Sequence, residues 1–237
     1  DEMVVSIRAG LGEKPDEAKR LAALNEFLFT RSGFHGSRTN YYHRSNSYLN
    51  EVIDDREGLP ITLSVLYMEV ARRLGLKVVG VGLPGHFVVR FEPTKGDSQL
   101  IDPFDNGRLL TAEEGDAMIR NGFRRPPGEE EFKEVREMFL KATTPQAVLV
   151  RMLANLRNIA ERDEDMDSIL RYLSTALVID PDNIENRAMR IEIQVRTQRL
   201  KAAISDIDWM LEKKPEGMDI QRVLQIKADL EARRQAM

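Results

Sequence analysis

The sequence predicts an α+β domain followed by an all-helical domain. A helix from Leu63 to Leu74 is apolar or small nearly all round, which is typical of a buried helix. Segments rich in Val and Phe follow it at short spacing, as expected of strands in a small sheet. From Pro145 onward, apolar and charged residues alternate at helical spacing. Together these patterns predict a mixed core first and helices only afterwards.

Composition narrows the possible functions. The chain has 237 residues, 42% of them hydrophobic, and its 35 basic and 39 acidic residues are interspersed. No block of basic charge supplies the field that nucleic acid requires. No apolar run approaches the roughly 18 residues that span a bilayer, and the first residues lack the features of a signal peptide. With no cysteine for disulfides or thiolate ligands, we expect a cytoplasmic protein that binds neither nucleic acid nor membranes, metals or cofactors.

The segment before the buried helix combines a helix with an aromatic loop. A helix is predicted from Pro15 to about Gly33, with apolar residues at helical spacing. The polar loop that follows nevertheless carries Phe34, Tyr41, Tyr42 and Tyr48. Such a loop is expected to pack on the domain. Its side chains are either anchors for an irregular segment or the lining of a cleft, for which the candidates are Tyr41, Tyr42, His43 and Asn46.

The buried helix and the strands define the predicted core. Pro60 suits the first turn of the helix and Gly75 ends it. Strands are predicted at 77–83, 86–91 and 99–101. In the second strand, alternation puts the phenylalanines on one face and His86 on the other. This predicts a small antiparallel sheet packed on the helix through its phenylalanine face.

The end of the first domain is predicted from turn and capping signals. Thr111 with Glu114 is typical of a capping box that opens a short helix. The polar, proline-rich passage at 124–131 is the best candidate for a linker, and 132–141 is predicted to be helical. The predicted domains are residues 1–142 and 146–237.

The helical part contains a repeat. Pro181 and Pro215 close similar segments and are 34 residues apart, which is the tetratricopeptide period. The helix before each proline aligns at the same offset. We predict repeats at about 148–181 and 182–215, and a capping helix at 218–234. Because one helix pair cannot bury its apolar face alone, such units stack on their neighbours.

Many motifs in order resemble the SirB-type family, which is described as a transglutaminase-like domain followed by tetratricopeptide repeats. The resemblance covers roughly residues 20 to 215. The matching motifs are Leu24-Asn-Glu-Phe-Leu-Phe29, Gly33-Phe34-x-Gly36, Tyr41-Tyr42, Asn46-Ser-Tyr-Leu49, Gly58-Leu-Pro-Ile-Thr-Leu-Ser-Val-Leu66, Ala71-Arg-Arg-Leu-Gly75, Gly80-Val-Gly-Leu-Pro-Gly-His-Phe87 and Ile101-Asp-Pro-Phe104.

The resemblance implies a papain/transglutaminase-like core. In such a core a helix bears a nucleophile at its N-terminal end, and an antiparallel sheet presents a histidine and then an aspartate. His86 and Asp102 match the last two members. The wider superfamily uses a cysteine as the first member, and this chain has none. The local candidates for its position are Pro60, Ile61, Thr62 and Ser64.

A hydroxyl in place of the thiol changes the chemistry. A cysteine beside a histidine readily becomes a thiolate, since its reference pKa is about 8.5. A serine must instead lose its proton to a well-aligned base. Thr62 and Ser64 lie about 200° apart around the helix, so at most one of them faces His86. Both hydroxyls also have the ordinary roles of capping or back-bonding, as His86 and Asp102 have those of a structural histidine and a turn residue.

These observations lead to three functional hypotheses. The first is a non-catalytic protein-interaction or regulatory module that binds a protein or peptide partner through its repeats. The alternative is a hydrolase or acyl transferase that uses Ser64, or Thr62 instead, with His86 and Asp102. In the third, the front domain only caps the repeats as part of a scaffold.

Overall fold

The computed structural model describes residues 1–236. It contains two compact units, residues 1–148 and residues 149 onward. The helices of the first unit are α1 Glu2–Ala9, α2 Glu17–Asn25, α3 Leu49–Asp55, α4 Pro60–Arg73, α5 Ala112–Asn121 and α6 Glu129–Leu140. Its strands are β1 His35–Gly36, β2 Glu57–Gly58, β3 Val78–Leu83, β4 His86–Phe91, β5 Gln99–Asp102 and β6 Arg108–Leu110.

The first unit is built on a small antiparallel sheet in the order β3-β4-β5-β6. Val89 pairs with Ile101, and both are fully buried in one core cluster with Leu63 and Tyr67 of α4. The predicted packing of a buried helix on a small antiparallel sheet is therefore present. A separate parallel pair, β1 with β2, joins the segment before the aromatic loop to the residues that precede α4.

The other face of the sheet carries a second cluster. Val81 and Val88 pack there with Ile119 of α5 and Phe132 of α6. The prediction of a linker at 124–131 was wrong, because α6 begins at Glu129 and belongs to the first unit. The composition of this passage reflects its exposure to water and not a boundary between domains.

The helix predicted from Pro15 to Gly33 has two parts. α2 ends at Asn25, and residues 26–31 continue as a π-helix. The ring of Phe29, within this turn, stacks on Tyr67 of α4 at 6.2 Å between centroids. The Tyr67 hydroxyl donates to Asn25 Oδ1 at 2.7 Å, and burial raises the pKa of this phenol, so the donor proton is retained.

The second unit consists of helices. They are α7 Pro145–Arg162, within which the division between the units falls, α8 Met166–Ile179, α9 Ile184–Arg196, α10 Leu200–Lys213 and α11 Ile220–Gln235. α8 and α10 have the same length of 14 residues, and both their first and last residues are 34 positions apart. Ile169 and Leu173 of α8 are buried in one cluster, and Ala203 and Ile207 occupy the same places in another.

No helix within residues 1–236 combines the length and the apolar character needed to cross a bilayer.

Candidate functional site

His86 and Asp102 meet where two neighbouring strands of the sheet begin and end. His86 is the first residue of β4, and Asp102 is the last residue of β5. His86 Nε2 lies 2.8 Å from Asp102 Oδ2. Because a carboxylate accepts hydrogen bonds, this contact puts the ring proton on Nε2. In this tautomer the neutral ring carries no proton on Nδ1.

Backbone groups hold the Asp102 carboxylate. Its Oδ1 accepts the N–H of Phe104 at 3.0 Å and that of Asp105 at 3.4 Å, so the side chain also caps the short 3₁₀ turn at 103–105. The side chain of Asp102 is 5% exposed and that of His86 is 19% exposed. The pair is thus largely enclosed, and Asp102 serves both the turn and the histidine.

The Thr62 hydroxyl is part of the start of α4. It accepts the N–H of Leu59 at 2.9 Å and donates to the carbonyl of Asn46 at 2.8 Å. The carbonyl of Leu59, at 3.1 Å, is a second acceptor for the same hydroxyl. The residue is fully buried. These contacts satisfy one of the free N–H groups at the helix start and fasten the aromatic loop to it.

Ser64 is also buried and bonded to the backbone. Its Oγ donates to the carbonyl of Phe87, the residue after His86, at 3.4 Å. The first residue of α4 is Pro60, which has neither a nucleophilic group nor a backbone N–H. Of the four candidates for the nucleophile position, Pro60 therefore occupies the N-terminal end of the helix.

The aromatic loop reaches His86 through Phe104. Tyr41 makes edge contacts with Tyr42 and with Phe104, and Phe104 makes one with the His86 ring at 5.9 Å. Tyr42 is 50% exposed, whereas Asn46 is buried and donates to the carbonyl of Asn40. Of the predicted lining residues, Tyr41 and Tyr42 connect to the site, whereas Asn46 is a structural anchor.

His43 makes its contact within the loop, whereas two residues outside the predicted set, Arg38 and Phe104, form a chain of contacts to His86. His43 Nδ1 pairs with the hydroxyl of Ser45 at 2.6 Å within the loop. Sequence patterns did not point to Arg38, whose guanidinium lies 5.4 Å from the centre of the Phe104 ring and binds Asp105 at 2.8 Å. Phe104 lies in the same motif as Asp102, two residues after it. This proximity in the sequence could have indicated that Phe104 is near the histidine–aspartate pair.

A substitution at Gly36 tests the packing of Phe104. A Cβ there would lie 2.5 Å from the ring of Phe104 and 2.6 Å from its carbonyl oxygen. We expect Gly36→Ala to lower the free energy of unfolding by about 1–3 kcal/mol, as overpacking does. Chemical denaturation measures this, with Gly12→Ala as the control because a methyl group at that position would meet no atom within 4 Å. Equal stabilities of the two variants would contradict the close contact.

Metal ligands are not grouped at this site. Within the described part of the chain, no three His, Asp or Glu side chains are arranged to hold an ion.

A mostly enclosed histidine–aspartate pair on an antiparallel sheet, beside the start of a buried helix, is the arrangement of a transglutaminase-like domain. The chain belongs to the transglutaminase-like superfamily, whose model matches residues 1–154. It also belongs to the UPF0162 proteins. It is 33% identical to one from Xylella fastidiosa strain Temecula1 over 205 residues, which cover 86% of this chain and 71% of that protein.

Other relatives extend the comparison. A UPF0162 protein of X. fastidiosa strain 9a5c is 37% identical over 70% of this chain and 58% of its own length. F-box only protein 21 of Mus musculus is 29% identical over 71% of this chain, but over only 27% of its own length. No solved structure matches the chain significantly.

Proposed function

We propose that this chain is a non-catalytic transglutaminase-like module that binds a protein or peptide partner. The observation that carries the proposal is the use of the candidate hydroxyls. Thr62 binds Leu59 and Asn46, and Ser64 binds the carbonyl of Phe87. A serine or threonine nucleophile must instead give its proton to the histidine. Pro60 at the start of α4 and the lack of cysteine support the same conclusion.

In this proposal the histidine–aspartate pair has a structural role. It connects the first residue of β4 with the last residue of β5, and Asp102 at the same time caps the next turn. A largely enclosed carboxylate that accepts three hydrogen bonds stabilises the fold, whether or not the protein catalyses a reaction. Retention of the pair is therefore compatible with loss of catalysis.

The interaction role is supported by the second unit and by the relatives. The 34-residue spacing of α8 and α10 supports a tetratricopeptide domain and, with it, the SirB-type assignment. In F-box only protein 21 the related segment is about a quarter of a much longer chain. A domain that is combined with different neighbours suits a binding module.

A second candidate is a hydrolase or acyl transferase, and one observation favours it. His86 Nε2 is held at 2.8 Å from a carboxylate that backbone N–H groups fix in turn. A base oriented by a carboxylate is also part of the Ser-His-Asp arrangement. Catalysis would require Ser64 or Thr62 to give up its present hydrogen bonds.

Activity measurements distinguish the two candidates. The chain and its His86→Ala and Ser64→Ala variants are incubated with peptide esters, peptide amides, and a glutamine peptide with an amine donor. We expect none of the three proteins to turn over any of these substrates faster than buffer alone. Turnover that is lost in His86→Ala, while circular dichroism shows that this variant remains folded, would establish the enzyme instead. Its loss in Ser64→Ala as well would identify Ser64 as the nucleophile, and its persistence there would point to Thr62.

The binding half of the proposal has its own measurement. We expect a pull-down with the chain to retain a saturable, stoichiometric protein partner, and His86→Ala to retain it equally. Failure to find such a partner would contradict a non-catalytic binding role. Loss of the partner in a folded His86→Ala variant would contradict it as well.

A further inference from the structure

A pocket of about 390 Å³ lies on the sheet, apart from His86 and Asp102. Its floor includes Leu100 of β5 and Leu110 of β6, which are cross-strand neighbours, and Arg90 of β4 pairs with Leu100 in the same row. Arg136 and Leu140 of α6 form another part of the wall. The volume is in the range of small-molecule sites.

Two guanidinium groups line this pocket, and acidic residues outside it hold them in place. Arg136 Nε donates to Asp116 at 2.6 Å. Arg90 donates through Nε and Nη2 to Glu92 and through Nη1 to the carbonyl of Leu140. Hydrogen bonds from Lys77 and Arg90 keep the pKa of Glu92 below its usual range, so its charge persists. Neither Asp116 nor Glu92 lines the pocket.

The donors of Arg136 are not used up by these contacts. Asp116 takes the Nε–H, and among the described residues Nη1 and Nη2 have no hydrogen-bond partner. The side chain is 39% exposed and that of Arg90 is 20% exposed. No acidic residue is found among the described side chains that line the pocket, whereas Ser98 and Gln99 add neutral polar groups.

Apolar side chains make up the rest of the lining. Leu100, Leu110 and Leu140 lie beside the arginines, and Leu109 of the edge strand β6 is 54% exposed at the rim. A planar guanidinium matches a carboxylate with two parallel hydrogen bonds. The leucines give no partner to a strongly hydrated ion but accommodate an aliphatic group.

We propose that this pocket binds a carboxylate joined to a short aliphatic group, with Nη1 and Nη2 of Arg136 donating to the carboxylate, Arg90 adding a positive charge to the lining, and the leucines contacting the aliphatic part. Two sources share this chemistry. One is a small branched carboxylic acid, and the other is the C-terminal carboxylate of a peptide that ends in an aliphatic residue. The site includes neither His86 nor Asp102, so it is independent of the function proposed above.

Titration calorimetry with the full chain tests the pocket. The probes are 4-methylpentanoate, 4-methylpentanamide, a pentapeptide that ends in Leu with a free carboxylate, and the same peptide as its amide. We expect at least one carboxylate probe to bind, and its amide to bind at least about ten-fold more weakly, as for the loss of a charged hydrogen bond. Binding of the peptide without 4-methylpentanoate would assign the carboxylate to a peptide C-terminus.

Variants connect the binding to the pocket. Arg136→Gln removes the free donors, and Ala112→Phe narrows the rim. Both variants should bind the carboxylate probe at least about ten-fold more weakly. Arg124 is an exposed arginine outside the pocket, so Arg124→Gln should leave the affinity for the probe unchanged. The proposal is overturned if neither carboxylate binds, if the amides bind equally well, or if Arg136→Gln binds like Arg124→Gln.

Discussion

Asp206→Ala is expected to lower the free energy of unfolding of the second unit by about 3–5 kcal/mol, the cost of removing one partner from a buried ion pair. Asp206 is buried in α10 and binds two arginines of α9. Its Oδ1 accepts from Arg187 at 2.8 Å and from Arg190 at 2.7 Å, and its Oδ2 accepts from Arg190 Nε at 2.8 Å. Without the carboxylate, two enclosed cations would face each other.

The only tryptophan of the sequence reports on this change. The guanidinium of Arg187 lies 3.7 Å from the centre of the Trp209 ring, so Trp209 fluorescence during urea unfolding follows the second unit. Asp208→Ala is the matched control, because Asp208 lies in the same helix but is 51% exposed in its pair with Lys227. We expect a much smaller shift for it. Similar midpoints for the two variants would refute the buried cluster.

Thr62→Val is expected to destabilise the first unit by about 2–3 kcal/mol, because it leaves buried polar groups without partners. Valine fills a similar volume but provides no oxygen for the N–H of Leu59 and no donor for the carbonyl of Asn46. The backbone contact from Leu59 to Asn46, at 3.4 Å, compensates only in part. Unfolding followed by circular dichroism gives the change.

Two variants serve as controls for Thr62→Val. Thr62→Ser keeps the hydroxyl and should keep most of the stability. Ser64→Ala removes only a 3.4 Å hydrogen bond and should cost less than about 1 kcal/mol. If Thr62→Val were as stable as Ser64→Ala, the hydroxyl would not hold the helix start, and its structural role in the proposed function would lose its basis.

Local patterns predicted the core of the first unit. The apolar run of α4, the alternation in β4 and the Thr111–Glu114 capping box all depend on neighbours within a few residues, and each has its expected structure. The motifs around His86 and Asp102 predicted that the two belong together, and their side chains are in contact.

Other features could not be predicted from short-range signals. The π-helical turn at 26–31 accompanies the stacking of Phe29 on Tyr67, which is 38 residues away in the sequence. α6 looked like a separate element after a linker, but it is fixed by burial of Phe132 against the sheet. The arginine pocket joins side chains of β4, β5, β6 and α6, so no local motif describes it.

The sequence by itself determined the order of elements around α4, the pairing of the candidate residues His86 and Asp102, and the absence of a thiol, because periodicity and residue type act over a few neighbouring positions. Only the tertiary structure decided what the two hydroxyls do. Thr62 holds a loop carbonyl 16 residues away, and Ser64 holds a strand carbonyl 23 residues away. A hydroxyl has the same chemistry as a cap or as a nucleophile, and the partner that the fold brings within hydrogen-bond distance selects between them.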